Sequence, residues 1–524
     1  MRSHPSPWSL CRSALLAAAL IAAAPSAAMA APRDTLTYIE GIEFVTLDPA
    51  LQTTRPGETM LALMFNRLVR WRDTELSGIA PDLAVSWTTS ADGREWTFKL
   101  REGVRFHDGT PFDAGAVKFN LDRVRSAELG SPNRSLFAPV TEVEAVDPTT
   151  VVLRTAAPYA SLLEHLAETA GAMSSPAALQ KHGRNYGRFP VGTGPYRLKE
   201  WTPGDRLVVE RFAGYFGTAG RSREIVYRAV PEGEARVIEL EAGGADIVTS
   251  IPPESAERVR RNRNLQLLVQ PSSFQIFYEL NTRKPPFDDP RIRRAINHAV
   301  DREAIVAKVL GGYGSVPDSI IPPGVQAHVP IGRYSYDPDL VKRVFAEVYP
   351  GGFDGEIELW TPSGRYLKDR SVSEAVQGYL HAVGLKTKFR AWEWSSYLRT
   401  LSAKKSGTRS AARDTADDGS LWLMGTSIPT ADWRLSRKLA SDGSANNTAY
   451  GNARVDALLA AARTTLDADR RLALYRDAQR ILWEDDPPFL YLYNQVQIIG
   501  LRKEVKGFRA YAFEIPLLAE VGKE

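Results

Sequence analysis

The chain has 524 residues, 44% hydrophobic and 24% charged, the make-up of an ordinary globular protein with room for two or three domains and an ample core. Its 66 basic side chains nearly match its 62 acidic ones, and the densest basic patch, Lys404-Lys405 with Arg409 and Arg413, runs straight into Asp414, Asp417 and Asp418. Such a balance carries no electrostatic footprint for nucleic acid.

Residues 1–30 read as a secretory signal. Arg2 and Arg12 supply the positive start, an apolar run follows from Ala14 to Ala24, and Ala28-Met29-Ala30 is an A-x-A cleavage pattern. The mature chain is expected to begin at Ala31, in the periplasm. The apolar run is short for a bilayer span, and no later segment offers eighteen uninterrupted apolar residues. Cys11, the single cysteine, precedes the apolar run, so neither a lipoprotein anchor nor a disulfide is expected.

Strands and helices then intersperse, which argues for α/β layers. Glu95 to Leu100 alternates, with Trp96, Phe98 and Leu100 on one face. Residues 150–154, 207–212, 224–230, 356–361 and 385–392 are further strand candidates, rich in residues that suit a pleated surface. Residues 291–300 carry Ile292, Ala295, Ile296, Ala299 and Val300 on one helical stripe. Asp301 is placed to cap a following helix that Gly311-Gly312 ends, and Asp467 to cap one that Pro487-Pro488 stops. Pro285-Pro286 opens a stiff turn, and residues 402–419, polar and charged, read as an exposed loop.

Two segments stand out as a pair: Phe106-His107-Asp108-Gly109-Thr110-Pro111-Phe112-Asp113-Ala114, and Val191-Gly192-Thr193-Gly194-Pro195-Tyr196. Other blocks accompany them in order: Leu47-Asp48-Pro49-Ala50, Ala80-Pro81-Asp82-Leu83-Ala84, Leu280-Asn281-Thr282, Arg291-Ile292-Arg293-Arg294-Ala295, Tyr336-Asp337-Pro338 and Tyr450-Gly451-Asn452. Together they resemble the family-5 extracellular solute-binding proteins of peptide-type ABC importers. The loop Gly425-Thr426-Ser427-Ile428-Pro429-Thr430-Ala431-Asp432-Trp433, with Asn447-Thr448-Ala449-Tyr450 downstream, is similar to the glutathione-binding branch. The resemblance implies an α/β, type II periplasmic-binding-protein-like fold of two lobes and three domains. Domain I would be split over 31–72, 191–279 and 488–524, domain II would span 73–190, and domain III 280–487. It implies a monomeric receptor that closes over a small peptide and hands it to membrane permease subunits.

An enclosed peptide must have its charged ends met, because an unpaired buried charge is costly. Asp432 occupies the acidic position of the loop resembling the peptide binders' ammonium-binding loop, and is the expected ammonium partner; helix capping before Trp433 is its other reading. Arg365, in the loop directly after the strand 356–361, is the expected anion partner, since its planar fork suits a carboxylate and ligand sites gather in such loops. Phe44, Tyr366, Trp392, Trp394, Trp422 and Trp433 are candidate cleft walls, with core packing as the alternative; Trp392 and Trp394 are expected to share one strand face.

No H-E-x-x-H, G-x-S-x-G or P-loop occurs, so no enzyme is expected, and no cofactor. The histidines beyond the signal lie more than four residues apart and form no local metal motif, so no metal is expected either. The rival readings are the same receptor role for a nickel chelate, opine or oligosaccharide, a secreted enzyme reusing the fold, and a chemosensory or chaperone-like binder.

Overall fold

The computed structural model describes residues 34–74, 76, 78–403, 420–427 and 429–524. The signal segment, Cys11, the start at Ala31 and most of the expected 402–419 loop lie outside them; the helix Trp394–Ala403 takes up the first two residues of that loop.

Two long antiparallel strands organise the molecule. Leu265–Leu280 and Phe489–Arg502 pair along most of their length and lie at the centre of one mixed sheet. Their first and last halves serve different neighbours. Ile247–Val248 pairs with Gly500 and Leu501, and leads on to Thr35–Glu40 and Glu224–Ala229. At the other end Leu421–Ser427 pairs with residues 274–280, and Glu356–Pro362 and Lys386–Trp392 complete that side. The register slips between Pro271 and Gln275, where three residues oppose one. Such a bulge bends a strand locally, and here it falls where the chain passes from one lobe to the other.

The largest core runs through both halves of this sheet: Ile276, Tyr278, Trp360, Val372, Tyr397 and Leu423 around the 356–427 strands, and Ile39, Val237, Leu240 and Val248 on the other side. Leu36, Tyr38, Leu61, Tyr196, Val209 and Tyr227 form another under the 35–40 strand. A separate four-stranded sheet, in the order Ala84–Thr89, Glu95–Leu100, Thr150–Thr155, Val140–Asp147, packs Phe98, Val117, Leu153 and Leu166 beside it. The alternation read at 95–100 places Trp96, Phe98 and Leu100 inward.

The two signature segments are welded together. The backbone N–H of His107 donates to Gly192 O at 2.8 Å, and its Nε2 lies 3.0 Å from Gly194 O. Asp113 caps the helix Ala114–Arg125 by accepting from Ala116 N. A Cβ at Gly192 or Gly194 would meet Met64 O at 2.2 Å or Leu63 O at 2.5 Å, so only glycine lets this segment lie against the helix Arg55–Met64. These residues dock the small sheet onto its neighbour.

Asp301 accepts from Ala304 N, and Asp467 from Arg470 N, as their cap positions predict. The 291–300 stripe is helical only over Pro290–Ile296. No helix among the described residues is long and apolar enough to cross a membrane.

Candidate ligand-binding cleft

A cavity of about 300 Å³ lies between the lobes. One lobe contributes Leu51, Thr53, Thr54, Arg55 and Pro132, from the turn before the helix Arg55–Met64 and from the start of the short helix Arg134–Phe137. The other contributes Phe274 from the long strand, Arg365 and Tyr366 from the loop after Glu356–Pro362, and Trp394 at the start of its helix. Thr426, and Trp433, Arg437 and Lys438 of the helix Ala431–Leu439, complete that wall with Asn447. The lobes also touch beside the cavity: Ala160 N donates to Arg463 O at 2.9 Å, and Ser135 and Ser444 hydroxyls lie 2.8 Å apart.

Arg365 sits in an aromatic cradle. Its guanidinium carbon is 5.1 Å from the Phe274 ring, 5.0 Å from Tyr366 and 5.5 Å from Trp394. Tyr366 and Trp394 meet edge to face at 6.1 Å. Arg437 stacks over Trp433 at 4.8 Å. Its pairing with that ring follows from helical spacing, since positions i and i+4 are neighbours. Burial lowers the Arg437 guanidinium to about 10 despite the nearby charges of Glu58 and Glu168, which still leaves it a cation at neutral pH.

Several residues that line the cavity carry a buried polar atom with no hydrogen-bond partner among the described residues: Arg365 Nε, Trp394 Nε1, Thr426 Oγ1, Arg437 Nε and Asn447 Oδ1. Buried polar groups are almost always satisfied, so these exceptions single out this wall as a candidate ligand surface. A smaller cavity of about 50 Å³ shares Arg55 and Arg365 with the first and holds Glu40 and Glu514. It is too small to enclose a peptide.

Of the expected site residues, Arg365, Tyr366, Trp394 and Trp433 come together here. Asp432 does not. It is 1% exposed, with Arg463 Nε at 3.1 Å, the Ser436 hydroxyl at 2.5 Å and His165 Nε2 at 3.2 Å. Burial opposes its ionisation, but Arg463, His165 and Ser436 overrule it and hold the carboxyl well below the ordinary range. Its charge is met inside the protein, and it is not among the residues that line the cavity. Nor does it cap the helix: Thr430 does, by accepting from Trp433 N.

Trp422 also faces away, and donates its indole N–H to Glu279 at 2.5 Å. Phe44 is core, packed on Trp201 and Tyr227 at 5.2 and 5.1 Å. Trp392 packs on Trp360. It does not share a face with Trp394, because the strand ends at Trp392 and Trp394 begins a helix, which rotates the second ring away. Arg55, Thr426, Arg437 and Asn447 were not anticipated. The one available signal was local: Thr426 and Asn447 sit inside the two stretches that resemble the glutathione-binding branch, and Arg437 lies one turn after Trp433.

The α/β fold is shared with known proteins. The model of the bacterial extracellular solute-binding proteins, family 5 Middle, matches residues 78–446. The chain belongs to this family. Among its relatives is the glutathione-binding protein GsiB of Escherichia coli (strain K12), 33% identical over 509 residues, which cover 95% of this chain and 96% of the relative. The GsiB of Shigella dysenteriae matches to the same extent. Among solved structures, the family-5 chain superimposes on the periplasmic binding protein DppA of Helicobacter pylori in complex with the peptide STSA, with a TM-score of 0.84 at 23% identity, covering 94% of this chain and 98% of that one. AgaA of A. tumefaciens R10, in complex with agropinic acid, matches with a TM-score of 0.83 at 26% identity, over 94% and 99% of the two chains. The mixed α/β, type II periplasmic-binding-protein fold expected of the family is present.

Proposed function

We propose that this solute-binding protein is the periplasmic receptor of an ABC importer and captures a small, glutathione-like peptide. The carrying observation is that aromatic rings and residues with unpartnered buried polar atoms together line the interlobe cavity. Large rigid rings give contact area at low entropy cost, and Arg365 offers two parallel donors to a carboxylate. Resemblance to GsiB over nearly the whole chain supports the ligand class.

In this reading the two long strands act as the hinge, ligand binds the closed arrangement best, and the permease recognises that arrangement. The receptor is a monomer that returns its ligand unchanged. The signal is removed before Ala31. The proposed domains are 31–72, 191–279 and 488–524, then 73–190, then 280–487; the four-stranded sheet falls within 73–190, whereas the bulge at 271–275 puts the crossing inside the long strands, a few residues before 280.

The test is mass spectrometry of the solute that co-purifies with protein exported to a periplasm, followed by calorimetry with glutathione and a di- and tripeptide panel. A peptide that co-purifies and rebinds supports the reading. An opine or a nickel chelate recovered in its place, with no affinity for any peptide, refutes it.

A further inference from the structure

The described residues that line the large cavity include Arg55, Arg365, Arg437 and Lys438 but no aspartate or glutamate. Two of these cations are spoken for. Arg55 pairs with Glu58, and Lys438 lies 2.5 Å from Glu279. The other two form no ion pair: among the described residues, neither Arg365 nor Arg437 has a carboxylate at ion-pair distance, though Arg365 acts on the buried Glu40 and Glu514 across the smaller cavity. Arg365 can be explained as the anchor for a peptide's single C-terminal carboxylate. Arg437 then remains, 6% exposed, with its Nε unpartnered. The acids that face it from the other lobe are already engaged, Glu58 by Arg55 and Glu168 by the Trp71 indole N–H at 3.2 Å. A buried guanidinium with no close anion is strongly disfavoured unless something brings one.

We propose that Arg437 is a second carboxylate anchor, so that the preferred ligand is an acidic peptide carrying two carboxylates, one at Arg365 and the other at Arg437. This rests on the peptide reading above. The neighbouring donors fit an anion-rich ligand: the Trp394 indole N–H and the Thr426 hydroxyl are both buried and have no hydrogen-bond partner among the described residues. The aromatic rings behind each arginine hold the forks in place, so less freedom is lost on binding. The wall thus sorts peptides by carboxylate number, and a peptide with one carboxylate leaves one buried guanidinium unmet.

The experiment is calorimetry on wild type, R365Q, R437Q and R437K. The ligands are glutathione, its glycyl monoethyl ester, its γ-glutamyl α-amide, N-acetylglutathione and glutarate. Each charge-assisted carboxylate contact is expected to contribute about ten- to a hundred-fold in affinity. Masking either carboxylate should therefore weaken wild type by that factor, and N-acetylation by less. R437Q should lose as much for intact glutathione, yet lose little more for the one derivative that lacks the carboxylate held by Arg437. R365Q should show the same pattern with the other derivative. R437K, which keeps the charge without the planar fork, should fall between. Circular dichroism and a thermal melt of each variant separate lost binding from lost fold.

An R437Q protein that folds and binds glutathione as wild type does overturns the proposal. So does equal affinity of wild type for glutathione and both masked forms, and so does binding of none of the ligands. If wild type binds glutarate but no peptide, the peptide reading fails; an Arg437-dependent loss for glutarate then supports the two-anchor assignment.

Discussion

Replacing Asp432 by asparagine keeps the shape of the side chain and removes its charge. The carboxylate it replaces lies 3.1 Å from Arg463 Nε and 3.2 Å from His165 Nε2. Arg463 and Asp432 share a lobe, whereas His165 comes from the helix Leu162–Leu166 of the facing one. At an effective dielectric near 20 the attraction at such a separation is about 5 kcal/mol. Burial of the carboxylate offsets part of it, and Arg463 retains 23% side-chain exposure, so water can take up some of the loss. Breaking one partner of a buried pair costs about 3–5 kcal/mol, and the partial exposure puts Asp432→Asn near about 3 kcal/mol. The urea midpoint should therefore fall clearly, while affinity for a free-amine peptide changes little. Because removing both members of a buried pair is often nearly neutral, D432N/R463Q should recover much of the lost stability. Chemical denaturation of the three proteins, with calorimetry on glutathione and N-acetylglutathione, decides it. Unchanged stability of D432N, together with selective loss of affinity for the free amine, would refute the internal-pair account and restore Asp432 to the site.

Arg365→Gln should weaken peptide binding by about ten- to a hundred-fold and shift stability by no more than about 1 kcal/mol, since among the described residues no carboxylate lies at ion-pair distance from it and the nearby Glu40 and Glu514 can take up protons when its charge is lost; calorimetry and a thermal melt read the two separately. Trp422→Phe takes one donor from the buried Glu279 carboxylate and should cost about 2 kcal/mol by denaturation, with peptide affinity unchanged. Burial raises the carboxyls of Glu40 and Glu168 from 4.5 to about 7. Both are protonated in the folded and unfolded states below about pH 4.5 and ionised in both well above pH 7. Their contribution is therefore full at the acid side and lost as pH rises through 7, about 3 kcal/mol each at most. Asp432 works in the opposite sense, but only below about pH 4, where its unfolded form takes up a proton. Urea midpoints should consequently be higher at pH 5.5 than at pH 8; the reverse order would contradict the burial of these two glutamates.

Local chemistry was the most legible part of the sequence. The caps at Asp301 and Asp467 and the alternation at 95–100 depend on neighbours a few residues away, and they appear where the pattern puts them. The long strands at 265–280 and 489–502 were not anticipated, because each changes environment halfway. Among residues 265–271 only Leu265 is buried, whereas 272–280 are buried throughout, so no single period runs along the strand. Arg365 was found because a loop after a strand is a common ligand position. Asp432 misled for a physical reason: an acid in a loop next to the cleft is indistinguishable in sequence from an acid whose charge is met by Arg463, thirty-one residues away, and by His165 on the facing lobe. Arg437 went unread because its meaning lies in the absence of a partner, which only the packed structure reveals.

The most direct test of the account is a crystal structure of the exported protein with its co-purified solute. The account predicts a peptide between the lobes, with a carboxylate on Arg365, an aromatic wall at Trp394 and Trp433, and Asp432 still paired with Arg463. A ligand seated outside this cavity, or one whose amine is bound by Asp432, would contradict it.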